Sequence, residues 1–244
     1  MKRTFVDLHI CVDFRDRRQV SRMMGKASKL GYRLVGFAFP PNSSNEDIEN
    51  VRSICAEAKV DLVSRVDLKP RKPKELIYDL RRLRRRFEVI CVCCESKDVA
   101  RQAAKDRRVD LLNFSAVDLR RRFFDRAEAE LASNSLASLE VDVKSLLTSE
   151  GVARIRLLSA LRRETATARE FHVPIVVSSG VSEEGLMRRP RELAALASLF
   201  GLDEVASVEA VSANPLKIVR RNREKLGPRF VAPGIRVIRE GKDC

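Results

Sequence analysis

The feature that most constrains this chain is a regular alternation between two hydrophobic patterns. Short β-rich runs at 5–10, 34–39, 60–68, 89–93, 109–114, 139–143, 174–177 and 205–211 are each followed by a segment of helical periodicity. Pro73 and Pro190 open helices at positions where proline is tolerated, and Gly31 and Gly201 stop them. Ser44 or Asn45 caps a helix whose first turn carries Glu46 and Asp47, where the helix dipole favours acids. The run at 89–93 is apolar throughout, as in a strand covered on both faces. Strands separated by helices pair in parallel through right-handed crossovers. Eight such units predict an α/β fold of the (β/α)8 TIM-barrel type rather than an open sheet, either complete or distorted to seven strands. Residues 1–226 are expected to form this single domain. Residues 227–244, marked by Pro and Gly, are expected to form an extended or partly disordered tail.

Charge bounds the partners. Lys and Arg number 48 against 34 acidic residues, a formal net charge of +14. A field of that size attracts polyanions: nucleic acid, an anionic membrane or an acidic protein. No apolar run reaches the roughly 18 to 20 residues that span a bilayer, so no membrane partner is expected. The chain enters a strand-like segment directly after Met1-Lys2-Arg3, which argues against a signal peptide. Cys91, Cys93 and Cys94 lie in an apolar run and the six cysteines show no disulfide-like spacing, which suits reduced thiols in a cytoplasmic protein. There is no Walker loop and no dinucleotide-binding glycine fingerprint.

Two groups of residues bear on function. Asp7 and His9 end the first strand, where strand alternation would project both side chains to one side and a barrel would carry its chemistry. A metal-dependent phosphoesterase built on Asp7 and His9, with Arg65 and Asp142 and an anion corner at Ser178-Ser179-Gly180, is the enzymatic alternative. A multi-metal centre needs many converging ligands, and the chain has only His9 and His172, which fall at opposite ends of a barrel. No catalytic residue and no metal ligand are therefore assigned. The second group is the basic runs, including Arg15-Asp16-Arg17-Arg18, Lys69-Pro70-Arg71-Lys72, the run 81–86, Arg120-Arg121-Arg122 and Arg220-Arg221-Asn222-Arg223. Arginine suits paired phosphate contacts. Few aromatics are free to stack on bases, so backbone and shape recognition of structured RNA is expected. The candidate RNA contacts are Arg15, Arg65, Lys69, Arg71, Lys72, Arg84, Arg85, Lys97, Arg120, Ser178, Ser179, Gly180 and Asn214. A basic scaffold docked on an acidic protein is a third possibility.

Several segments together carry a resemblance. They are Phe5-Val6-Asp7-Leu8, the step from Gly31-Tyr32 to Gly36-Phe37-Ala38, Arg65-Val66-Asp67-Leu68, Val109-Asp110-Leu111-Leu112-Asn113-Phe114, Ile175-Val176-Val177-Ser178-Ser179-Gly180 and Asn214-Pro215. In this order and spacing the chain resembles the archaeal ribonuclease P protein component 3 family. That resemblance implies a barrel like that of the polymerase and histidinol phosphatase fold with its metal centre lost. It implies a subunit of ribonuclease P, the ribonucleoprotein endoribonuclease that removes the 5′ leader of precursor tRNA. In that particle the RNA is the catalyst and uses Mg2+, and this chain binds no cofactor of its own. The implied partners are the ribonuclease P RNA, precursor tRNA and a small RRM-like protein subunit, two such pairs forming a heterotetramer. Cys11 departs from a phosphoesterase at a position where a second metal-binding histidine would stand.

Overall fold

The computed structural model describes residues 3–114, 119–232 and 235–237. Strands β1 (Val6–Ile10), β2 (Leu34–Phe39), β3 (Asp61–Leu68), β4 (Val89–Cys94), β5 (Leu111–Phe114), β6 (Ser138–Asp142) and β7 (Ile175–Ser178) pair in sequential order, all parallel. Helices α1 (Arg17–Leu30), α2 (Asn45–Glu57), α3 (Pro73–Leu83), α4 (Lys97–Lys105), α5 (Arg126–Ser133), α6 (Lys144–Thr148), α7 (Gly151–Glu170) and α8 (Pro190–Ser198) lie in the connections. Two more, α9 (Glu204–Ala210) and α10 (Ala213–Leu226), precede an antiparallel pair, β8 (Phe230–Ala232) and β9 (Ile235–Arg236).

Strand alternation sorts the apolar side chains into two layers. Val6, Leu8, Leu34, Val63, Val89, Cys91, Leu111 and Val176 form an inner cluster, joined by Ile218 and Val219 of α10. Their neighbours Val35, Phe37, Leu62, Ile90, Val92, Leu112 and Val177 pack outward against the helices. The unbroken apolar run of β4 follows from this, because both its faces are covered.

The sheet has seven strands and a nearly closed form. The segment 205–211, expected as an eighth strand, is the helix α9. The Asp203 carboxylate caps it by accepting the Ala206 N–H, and Ser207 and Ala210, one turn apart, are its buried face. The turn between α9 and α10 takes the place of the missing strand. Val6 N–H of β1 donates to the Val211 carbonyl at 3.0 Å, and the Asn214 side chain donates to the Ile175 carbonyl of β7 at 2.9 Å. At the other end β1 and the residues after β7 meet directly, with Gly180 N–H donating to the His9 carbonyl and Cys11 N–H to the Val181 carbonyl. Edge groups that an eighth strand would have paired are thus satisfied one by one.

One further expectation changes. The helical segment expected after the run at 109–114 is confined to α5, which begins at Arg126 behind a capping box of Asp125 and Glu128; Leu119–Arg121 is a single 3-10 turn, and residues 115–118 lie outside the described residues. Of the tail at 227–244, residues 230–232 and 235–236 form the β8–β9 pair, while 233–234 and 238–244 lie outside the described residues.

Much of the basic sequence at the N-terminal end of the strands holds the fold together. Asp110 accepts from Arg84, Arg221 and Asn222, and Glu88 and Asp61 both accept from Arg223. These contacts bind α10 to the bottom of the barrel. The fold also demands one glycine. β1 and β2 lose register between Asp7 and Ile10, a bulge that sets Leu8 and His9 against Gly36. A Cβ on Gly36 would lie 2.3 Å from the Leu8 carbonyl oxygen. Gly36→Ala is therefore expected to destabilise the chain by about 1–3 kcal/mol, seen as a lower denaturant midpoint with an unchanged slope.

Candidate functional site

The mouth of the barrel, at the C-terminal ends of the strands, is filled by a polar cluster centred on Arg65. This side chain is fully buried. Its guanidinium clasps Glu140 of β6 in a two-toothed pair, Nη1 to Oε1 at 2.6 Å and Nη2 to Oε2 at 2.7 Å. Nε donates to Asp67 Oδ1 at 2.6 Å, and Nη1 also reaches the Leu8 carbonyl at 3.0 Å. Glu140 accepts further bonds from Ser178 Oγ and Asn113 Nδ2. Burial alone would raise the Glu140 carboxyl, but the Arg65 charge and its hydrogen bonds hold it down at about 2. Asp67 is likewise kept below the usual carboxylate range, burial being overcome by Arg65 and His9.

The bulge in β1 shapes the rest of the cluster. Leu8 packs in the inner layer and Ile10 in the outer one, so Leu8 and His9 fall on the inner side in succession. His9 lies between two carboxylates: Nδ1 is 2.8 Å from Asp142 Oδ1 and Nε2 is 3.0 Å from Asp67 Oδ2. Burial and the Arg65 charge oppose protonation of this ring, yet Asp142 and Asp67 prevail and raise its pKa well above the ordinary value. Cys11 Sγ stands 2.8 Å from the same Nε2. Asp7 does not share this site, contrary to the alternation expected for Asp7 and His9. It turns to the backbone instead, Oδ1 accepting the N–H groups of Ser179 and His9, while Oδ2 is buried without a partner. Burial pushes the Asp7 carboxyl up.

The interior does not fit a centre of several metal ions. Glu140 is committed through both oxygens to Arg65, which leaves it no free oxygen to bridge two ions. Two positive groups, Arg65 and the His9 imidazolium, face three carboxylates, Glu140, Asp67 and Asp142, so the cluster largely neutralises itself.

The other sequence-derived candidates are divided between two ends of the barrel. Arg15, Lys69, Arg71, Lys72, Lys97 and Arg120 are exposed on four strand-to-helix connections around the mouth. Arg84 is bound to Asp110 and to the carbonyls of Phe87, Glu88 and Arg108 at the opposite end, where Arg85 is exposed. Asn214 closes the gap between β7 and β1 at that same end. Arg65, Ser178 and Ser179 are buried and offer no surface to an outside ligand, which corrects their placement among the RNA contacts. The anion corner also closes, because the N–H groups of Ser179 and Gly180 are taken by Asp7 and the His9 carbonyl. Sequence reasoning missed Asp67, Asn113 and Glu140 as members of the cluster and took Cys11 only as the loss of a histidine. A signal existed: Arg65-x-Asp67 and Glu140-x-Asp142 place two charges at alternate positions at the ends of strands, pointing the same way.

Two outcomes follow for this cluster. Arg65→Met, which leaves Glu140 buried and unpaired, is expected to lose about 3–5 kcal/mol in denaturant unfolding, and Arg65→Met combined with Glu140→Leu to recover a large part of it. His9, with a raised folded pKa, contributes stability that is fully present below its unfolded pKa and is lost as pH rises through the folded value. In metal-free buffer its imidazole resonance, separated from that of His172 with a His172→Gln variant, should titrate well above the ordinary histidine range, and Asp142→Asn should bring it down.

Comparison with known proteins agrees with this architecture. Residues 4–226 match the family model described as RNase P subunit p30. A Ribonuclease P protein component 3 of Methanosarcina barkeri is 30% identical over 222 residues, covering 91% of this chain and 90% of that one. The protein of the same name from Methanosarcina acetivorans is 34% identical over 178 residues, 73% of each chain. Among solved structures, a chain of the cryo-EM structure of archaeal ribonuclease P with mature tRNA superposes with a TM-score of 0.83 at 22% identity, covering 98% of this chain and 100% of that chain, which shows a common fold. A family match over nearly the whole barrel, with relatives that align along most of their own length, places this chain in the RNase P subunit p30 family.

Proposed function

We propose that this chain is a protein subunit of ribonuclease P, the RNA-based endoribonuclease that removes the 5′ leader of precursor tRNA, and that it binds and stabilises the catalytic RNA without supplying a catalytic group. The family match over residues 4–226 carries this proposal. The barrel mouth supports the non-catalytic part, since its strongest cation, Arg65, is neutralised by Glu140 and Asp67 and shielded from solvent. The metal-dependent phosphoesterase alternative lacks support at the same point, because the Asp7 carboxylate is spent on the backbone N–H groups of Ser179 and His9 and Glu140 has no oxygen free of Arg65.

RNA would be held by the cations around the mouth. Arg15, Lys69, Arg71, Lys72 and Lys97 make no ion pair with a described residue. They are carried on loops, or for Lys97 on the first turn of α4, that a rigid barrel positions. Each phosphate neutralised by such a group releases condensed counterions, so binding tightens steeply as salt falls. Arg85 belongs to a second basic surface at the other end of the barrel. Mg2+ in the particle serves the RNA, the remaining partners are precursor tRNA and a small RRM-like protein subunit, two such pairs forming a heterotetramer, and the particle is cytoplasmic. Among the described residues no helix is long and apolar enough to cross a membrane.

Reconstitution with the cognate RNA and the other protein subunits tests this. Adding the chain should raise leader cleavage at low Mg2+, and cleavage that is indifferent to the chain would sink the proposal. Replacing Lys69, Arg71 and Lys72 by Ala should weaken RNA binding and reduce the slope of log affinity against log salt by about 1 for each phosphate that the variant no longer neutralises.

A further inference from the structure

We propose that His9, Cys11 and Asp67 form a binding site for a single zinc ion at the rim of the barrel mouth. Three donor atoms of different kinds converge there. Nε2 of His9 lies 2.8 Å from Cys11 Sγ and 3.0 Å from Asp67 Oδ2, and all three atoms lie within 4.8 Å of one another. Zinc bonds of about 2.0–2.3 Å in a tetrahedron place such donors roughly 3.3–3.6 Å apart, so the Nε2 to Oδ2 pair needs to open by about 0.4 Å and the Nε2 to Sγ pair by about 0.8 Å. Cys11 follows the end of β1 and, like Asp67, is only partly buried, which leaves room for that adjustment. A thiolate with an imidazole and one carboxylate suits zinc and is unsuited to Mg2+, which prefers oxygen ligands. Three protein ligands leave the fourth position of the tetrahedron open towards the mouth.

The surroundings supply what a zinc site needs beyond its ligands. Asp142 Oδ1 at 2.8 Å from His9 Nδ1 fixes the ring so that Nε2 faces the other donors, the carboxylate–histidine–metal arrangement. Arg65 holds Asp67 through Oδ1 and leaves Oδ2 for the ion. Glu140 is not a ligand, although it stands near His9 and Asp142, because Arg65 engages both of its oxygens. Metal ligation requires the donor atoms free of protons, so zinc binding releases protons to solvent and tightens as pH rises. The ion would tie the segment after β1, which carries Arg15, to β3, which leads into Lys69, Arg71 and Lys72. This site does not depend on the ribonuclease P assignment.

The full chain, without a histidine tag and stripped of metal, is titrated with Zn2+ against a chromophoric chelator and separately with Co2+ as a spectroscopic substitute. One zinc per chain is expected. Co2+ should show a thiolate-to-metal charge-transfer band. Cys11→Ser should lose that band and weaken zinc binding beyond the roughly 100-fold at the upper end for outer partners, while Asp142→Asn weakens it by about 10–100-fold. Cys93→Ser, which alters a neighbouring thiol outside the site, should change neither, and circular dichroism establishes that each variant is folded. A wild-type chain without the charge-transfer band, a Cys11→Ser chain that binds zinc like the wild type, or a loss of binding in Cys93→Ser would each overturn the proposal. The wild-type band decides the matter even if a variant fails to fold.

Discussion

The guanidinium of Arg65 is the fixed point of this barrel. A charged group with no exposed surface is tolerable only when each of its donors finds an acceptor, and here the acceptors come from three different strands. Glu140 reaches it from β6, Asp67 lies on its own strand, and the Leu8 carbonyl comes from β1. That last contact explains two oddities of the first strand pair. The β1–β2 ladder bulges at Leu8, and the residue opposite is a glycine because only a missing side chain leaves room for that carbonyl. The same bulge puts His9 on the inner side and separates it from Asp7. A single buried cation therefore sets the local backbone, the choice of glycine and the identity of the residues at the mouth.

Seven strands suffice because the gap between β7 and β1 is closed by three unlike devices. One is direct backbone contact at the mouth, through Gly180 and Val181. Another is the Val211 carbonyl at the bottom, and the third is the amide of Asn214. The ion pairs of Arg221 and Arg223 with Asp110, Glu88 and Asp61 then hold α10 beneath the barrel, where Ile218 and Val219 complete the inner apolar layer. Partly buried pairs of this kind are weak evidence for net stability, but each one broken leaves a charge without a partner. Their contribution is geometric: they fix where the last helix sits.

The seven true strands and most helices were legible because alternation and punctuation are local properties. The segment 205–211, Val-Ala-Ser-Val-Glu-Ala-Val, was not. Its valines suit a strand, and the signals that decide for a helix are Asp203 as cap and the burial of Ser207 and Ala210, one of which is tertiary. The mouth was half legible. His9 and Asp142 could be placed by strand position, whereas the role of Arg65 depends on Glu140, 75 residues away. The basic runs mislead for the same reason. Arg122 looks like part of an exposed cluster, yet its guanidinium is buried against Glu164, more than forty positions further along. A run of charge in one dimension cannot say whether its partners are waiting elsewhere in the chain.

That distinction separates the two ends of the molecule. At the N-terminal end of the strands much of the basic sequence is answered by Asp61, Glu88 and Asp110, acids rooted in or beside the strands themselves. At the mouth, the acids rooted in the strands are turned inward and are matched by Arg65 and His9, so they cannot answer Arg15, Lys69, Arg71, Lys72 or Lys97 on the loops above. Neutralising the interior of the mouth leaves these cations without a partner among the inner acids. A barrel with an active metal centre would need those same inner carboxylates for its ions. With a fixed arginine in their place, the field at the mouth comes from the loops and faces outward, where a polyanion such as folded RNA can meet it.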